Sequence, residues 1–266
     1  ETTVTTLREL YQEFEDVPVV ETNNKTAEMI KYASNSLLAA MISFSNEIAN
    51  LSAAIGGIDA VDVMHGVHLS HYLSPIGPDG HRSTAPIASF LEAGCGFGGS
   101  CLPKDVQSLI AHGKAVGQPM RVLDAVMQVN RLQHEEVTSR LTKHFESLDG
   151  VPVSVLGLSF KPDTDDMRES PAIPIIRSLQ RAGAVVTGYD PVASAEARLV
   201  LGDGVRIADS LRKAVETASA VVLVTRWKEF ENLDDVLADV GSSPLVVDGR
   251  RMLDRRLFAH YEGIGL

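Results

Sequence analysis

Apolar positions divide the chain into two regimes. From Thr26 to about Ile55 they recur at helical spacing, through Met29, Ile30, Ala33, Leu37, Leu38, Met41, Ile42, Ile48 and Leu51, with no internal proline or glycine. They fill more than one stripe, which predicts a long helix buried on several sides. Gly56-Gly57 is its expected stop. A short amphipathic helix is predicted within residues 1–24, around Leu7, Leu10, Tyr11 and Phe14, followed by an extended Val17-Pro18-Val19-Val20. Further helices are predicted over 58–73, from Pro103 to Val116, and from Met120 to Phe145. Residues 74–85, rich in turn formers, read as a loop carrying His81 and Arg82.

At Asp149-Gly150 the period changes. Short apolar runs at 151–158, 184–191, 205–208, 220–225 and finally 244–249 read as strands. Helical patterns fill 170–183, 193–202, 209–218 and 233–240 between them. Strands alternating with helices predict a parallel sheet with right-handed crossovers. The fold expected is therefore α followed by α/β: a nearly all-helical domain over residues 1–147, then a parallel-sheet α/β domain over 148–266. Ligands of such sheets bind outside the carboxyl ends of the strands.

Composition narrows the function. Lys and Arg number 24 and Asp and Glu 35, so 24 − 35 gives a net charge of −11. That acidity argues against nucleic-acid binding, and an anionic ligand needs a local cluster of cations or backbone N–H groups. Cys95 and Cys101, the two cysteines, form no disulfide framework, CxxC motif or zinc set. His65, His68 and His71 recur every three residues without an HExxH pattern, so no metal is expected. No apolar run reads as a membrane span and no signal peptide is visible, which leads us to expect a cytoplasmic protein without membrane contact. The chain enters mid-pattern at Glu1 without a methionine, as expected of a piece of something longer.

The chemistry centres on Gly96-Phe97-Gly98-Gly99-Ser100-Cys101-Leu102-Pro103-Lys104-Asp105. Cys101 precedes a predicted helix start, where the helix dipole and Lys104 favour a thiolate. That is the setting of a reactive thiol; the alternative is a flexible turn with an inert, buried cysteine. Gly94, Gly96 and Gly99 literally satisfy GxGxxG, but no convincing strand precedes them and no second strand ends in an acid about 20 residues on, so this is not a dinucleotide turn. Lys31 and Asn35 share one face of the long helix. Either they serve a site, or Lys31 snorkels to water and Asn35 bonds the backbone. Three loops fall at carboxyl strand ends: 159–170 with Lys161 and Arg168, 189–194, and 248–251 with Arg250 and Arg251. Cations gathered at one rim point to a phosphate or diphosphate, unless Asp163, Asp165, Asp166 and Glu169 neutralise them. A thiol hydrolase is disfavoured, since His112 alone lies near the motif.

Four stretches, 26–51, 96–105, 156–170 and 246–251, together resemble the UDP-glucose/GDP-mannose dehydrogenase family, in the family's order and through most of the chain. The match is to a central helical, dimerising domain and a Rossmann-like nucleotide-sugar (UDP) binding domain. The family's N-terminal NAD-binding domain has no counterpart in these residues, so turnover is not expected of the chain alone. The resemblance implies oxidation of a sugar C6 alcohol to the acid with two NAD, through a thiohemiacetal and a thioester on Cys101. It implies that Lys31 and Asn35 steady the oxyanion, and that Asp105 acts as general base or orients water. Lys161, Arg250, Phe97 and Gly98 would contact the nucleotide sugar, joined by Arg82 from a partner subunit. Arg168 and Lys104 would face the NAD side, and a homodimer would form through the 26–55 helix. Residues 160–170 are closer to the UDP-glucose type than to the GDP-mannose type. UDP-N-acetylhexosamine or GDP-mannose dehydrogenases, and a non-catalytic nucleotide-sugar-binding module, remain open.

Overall fold

The computed structural model describes residues 2–14, 17–85, 87–88 and 91–266. Five helices come first: α1 (Thr2–Leu10), α2 (Asn24–Ile55), α3 (Ala60–His68), α4 (Leu102–Ala115) and α5 (Arg121–Thr142). The 32-residue α2 begins where the Asn23 side chain accepts from the Thr26 N–H at 3.0 Å, and it ends at Gly56, whose φ of 77° suits glycine. Its Ala39 packs with Val106 of α4 and with Leu123, Val126 and Met127 of α5. By length and composition α2 could cross a bilayer. This corrects the expectation that no apolar run is long enough, although Ser36, Ser43, Ser45, Asn46 and Ser52 line its buried face. Helices α1 and α3 are shorter than expected, and Leu7, Leu10, Tyr11 and Phe14 all stand exposed.

The second half alternates as the pattern predicts: β1 (Pro152–Leu156), α6 (Ala172–Arg181), β2 (Val185–Tyr189), α7 (Ser194–Leu201), β3 (Arg206–Ile207), α8 (Leu211–Val215), β4 (Ala220–Leu223), α9 (Leu233–Val240) and β5 (Leu245–Asp248). A sixth strand, β6 (Tyr261–Gly263), then pairs in parallel with β5. Residues 244–249 are thus not the final strand. The crossover to β6 carries only a 3-10 turn at Arg255–Leu257, and β6 is three residues long, so neither leaves a periodic signal. All pairings are parallel and the order is β3-β2-β1-β4-β5-β6. The order reverses between β1 and β4, the switch point at which such sheets open a ligand crevice.

The helical part and the sheet share one core. Val137 and Leu141 of α5, with Ala49 of α2 and Ala60 of α3, pack in the same cluster as Val153, Val155, Ile175 and Ile176. Arg140 is buried and donates to the Gly263 carbonyl at 3.1 Å, which ties α5 to β6. Arg251 was expected at the ligand rim, and here the structure differs. At φ 53° its side chain turns away and grips Asp59, the cap of α3, with two bonds of 2.9 and 2.8 Å. Burial opposes ionisation of Asp59, but Arg251 outweighs it and holds the carboxyl below its usual range.

Removing Arg251 leaves the half-buried Asp59 carboxylate without its counter-ion, with only the Val61 N–H still donating to it. Arg251→Ala should cost about 3 kcal/mol at pH 7, read by chemical denaturation. The folded-state value of Asp59 is depressed, so this stabilisation is present above the unfolded value of about 3.9 and lost as pH falls through the folded value. The gap between wild type and variant should therefore narrow under acid; a gap independent of pH would contradict this role.

Candidate active site

Residues 94–101 form an irregular segment laid across the carboxyl ends of β1, β4 and β5. The Cys95 N–H donates to the Gly249 carbonyl at 3.1 Å. Arg250 donates to the carbonyls of Val224 (2.5 Å) and Gly96 (3.2 Å), stitching the segment to two strand ends. A Cβ on Gly98 would stand 2.1 Å from the Glu169 carbonyl oxygen, and one on Gly99 2.7 Å from the Phe160 ring. Gly96 and Gly99 also take φ of 94° and 83°. The glycines let the backbone press against the loop after β1, and no strand feeds the segment among the described residues.

Two asparagines absent from the sequence reading hold this segment. Asn130 of α5 accepts from the Phe97 N–H at 2.8 Å and donates to the Phe97 carbonyl at 3.1 Å. Asn46 of α2 accepts from the Gly94 N–H at 2.8 Å. Both sit on buried helix stripes, where a polar residue needs a partner, and that was the available signal.

The segment ends at Cys101, exposed and at the N-cap position of α4. One turn on, Asp105 is buried. Its carboxylate takes Lys104 Nζ at 2.5 Å and Asn35 Nδ2 at 2.6 Å, and Asn35 Oδ1 takes Lys31 Nζ at 3.1 Å. The structure thus joins Lys31, Asn35, Asp105 and Lys104 in one chain of polar contacts. The Lys104 ammonium holds the Asp105 carboxyl below its usual range, against burial and with help from Asn35. Asp105 is therefore a fixed carboxylate and a weak proton acceptor, better suited to orienting than to general-base work.

Lys104 follows Cys101 in the first turn of α4, and Arg168 lies on the loop after β1. They line a cleft with Gly99, Ser100 and Pro103. Arg168 is exposed and held in a fork by Asp166 at 2.7 to 3.1 Å. Both cations are exposed, and each is paired with a carboxylate, Lys104 with Asp105 and Arg168 with Asp166. Lys161 is also exposed, its Nζ 5.7 Å from the Phe160 ring centroid. Arg250 is mostly buried in its bonds to backbone carbonyls. Arg82 does not join the group: it donates to the carbonyls of Leu69 at the end of α3 (2.6 Å) and of Ser74 in its own loop (2.8 Å).

Asp190, at the end of β2, occupies the place where dinucleotide-binding sheets keep an acid for a ribose. Here it is buried and faces inward. It accepts from the N–H groups of Leu158 (2.8 Å), Ser159 (3.0 Å) and Ala193 (2.8 Å), and from Trp227 Nε1 at 3.1 Å. It braces the loops after β1, β2 and β4 under the site.

Comparison with known proteins agrees with this geometry. Residues 25–132 match the central domain of the UDP-glucose/GDP-mannose dehydrogenase family, and residues 154–255 its UDP binding domain. The UDP-glucose 6-dehydrogenase TuaD of Bacillus subtilis is 40% identical over 247 residues, covering 92% of this chain and 50% of that protein. AglM of Haloferax volcanii, also a UDP-glucose 6-dehydrogenase, is 43% identical over 93% of this chain and 54% of its own length. The structure of a UDP-glucose dehydrogenase from Pyrobaculum islandicum superposes with a TM-score of 0.85 at 34% identity, over 98% of this chain and 56% of that one. The chain spans about half the length of the curated relatives it matches.

The two cysteines have opposite environments. Cys95 is buried and burial pushes its thiol up to about 11, while Cys101 is exposed. With iodoacetamide near neutral pH, Cys101 should be modified at least tenfold faster than Cys95, as followed by peptide mass mapping. Equal rates would contradict the assignment of Cys101 as the available nucleophile.

Proposed function

Because this chain belongs to the UDP-glucose/GDP-mannose dehydrogenase family, we propose that it forms the substrate-gripping, thiol-bearing portion of a UDP-glucose 6-dehydrogenase. One observation carries the reading: an exposed cysteine at a helix start, beside a lysine–asparagine–aspartate chain, at the switch point of a parallel sheet. Lys161 is the exposed cation for the nucleotide diphosphate. Arg250, Phe97 and Gly98 shape the wall against which the sugar nucleotide lies, and Arg82 is proposed to act on the substrate of a partner subunit.

Cys101 serves as a covalent trap. Its sulfur adds to the C6 aldehyde of the sugar, forming a C–S bond and placing negative charge on the former carbonyl oxygen. Lys31 and Asn35 stabilise that oxygen. After oxidation to the acyl level, water oriented by Asp105 attacks the thioester carbon, the C–S bond breaks, and the thiol and the uronate are released. Arg168 and Lys104 would hold NAD, which would supply the hydride acceptor, one NAD molecule for each of the two oxidations.

Self-association follows from α2. Ile30, Leu37, Phe44 and Leu51 recur every seven residues along it and are all about half exposed. A heptad stripe of that kind is covered well by its own copy, and we assign the homodimer contact to residues 26–55. Two free thiols suit a cytoplasmic setting.

Calorimetry tests the reading on the chain itself, with UDP-glucose, UDP-N-acetylglucosamine and GDP-mannose. UDP-glucose should give the strongest binding, and Lys161→Ala should weaken it at least tenfold without changing the mass measured by light scattering. No heat from any of the three at millimolar concentration would overturn the proposal.

A further inference from the structure

We propose that the groove between α5 and α6 is a second anion site that takes a polyphosphate chain; it adjoins the proposed nucleotide-sugar site at Phe97 but has its own set of cations. The groove encloses about 590 Å³, within the range of small-molecule sites. Arg131 and His134 face it from α5, and Arg177 and Arg181 face it from α6. Glu169 is the one acidic residue on its wall, and Phe97 is part of its lining. The two helices are pinned farther along by a Thr138–Ser178 hydroxyl bond of 3.2 Å, so the walls are fixed.

The argument rests on unmet charge. Eight arginines elsewhere in the chain each hold a carboxylate. Arg131, Arg177 and Arg181 have no ion pair or side-chain hydrogen bond among the described residues. No acid stands three or four residues from Arg177 or Arg181, and the two lie four apart on one helix, an arrangement that repels. Arg131, Arg177 and Arg181 all stand exposed along one groove with no carboxylate holding them, so in a chain of net charge −11 their donors are free to take an anion from outside. Guanidinium forks match phosphate oxygens two at a time, and three of them suit a ligand with several linked phosphates better than a single carboxylate. Such a ligand is either an inorganic polyphosphate or a nucleoside triphosphate.

The test is calorimetry on the full chain with sodium tripolyphosphate and, separately, ATP, each at low and high salt. Wild type should bind tripolyphosphate with an affinity that falls steeply with salt. The double variant Arg177→Ala/Arg181→Ala should lose at least tenfold, while keeping the wild-type unfolding midpoint and the wild-type UDP-glucose affinity. Lys161→Ala should leave tripolyphosphate binding within twofold, which separates this groove from the diphosphate subsite. ATP binding at least tenfold more tightly than tripolyphosphate would identify a nucleotide ligand, and equal binding would identify the polyphosphate chain alone. Absence of tripolyphosphate binding, retention of it in the double variant, or a loss shared with Lys161→Ala would overturn the proposal. So would a change of oligomeric mass in the double variant, which would make the groove a protein contact.

Discussion

The backbone at Gly98 lies so close to the Glu169 carbonyl that a single methyl group would not fit between them, and the rest of the site inherits its geometry from that approach. Because the segment can lie flat against the loop after β1, Arg250 reaches both Gly96 and Val224, and Cys95 reaches Gly249. The helical half and the sheet therefore meet through the same residues that present the thiol. Asn130 and Asn46 complete the clamp from the other side, each reading backbone groups that would otherwise be buried without partners. Packing between the two halves and placement of Cys101 are thus one set of contacts.

Electrostatics divides labour around that clamp. Asp105 is buried yet kept ionised by Lys104, and its second oxygen fixes the Asn35 amide, which in turn receives Lys31. The carboxylate orders Lys104 and Asn35 about itself one turn on from Cys101, at the cost of its own strength as a base. Asp166 does similar work for Arg168. The acids of the 159–170 loop partly neutralise its rim, as one of the two sequence readings held, but they do so by orienting Arg168, and Lys161 keeps its charge exposed.

Much of this was legible in the sequence, because helices and buried strands write a local period. Helix α2, the helix after Cys101 and the alternation from β1 to β5 all follow from spacing. Strand β6 did not, being short and reached without a helix. The paired residues Arg250 and Arg251 look equivalent on the page, but the positive φ of Arg251 sends it to Asp59 and leaves only Arg250 at the glycine segment. Asn130 lies on the apolar stripe of α5, and Asn46 lies among the small and polar residues of the buried face of α2, so each becomes significant only once its backbone partner is known. Inward-facing Asp190 is the same lesson at the end of a strand.

The claim on which the account turns is that a sugar nucleotide at the strand ends covers Cys101. Its most direct test is the rate of Cys101 alkylation by iodoacetamide as UDP-glucose is added. The rate should fall saturably, by tenfold or more, and Cys95 should stay unreactive throughout. An alkylation rate unchanged at UDP-glucose concentrations shown to saturate the chain would contradict the placement of the thiol at the substrate.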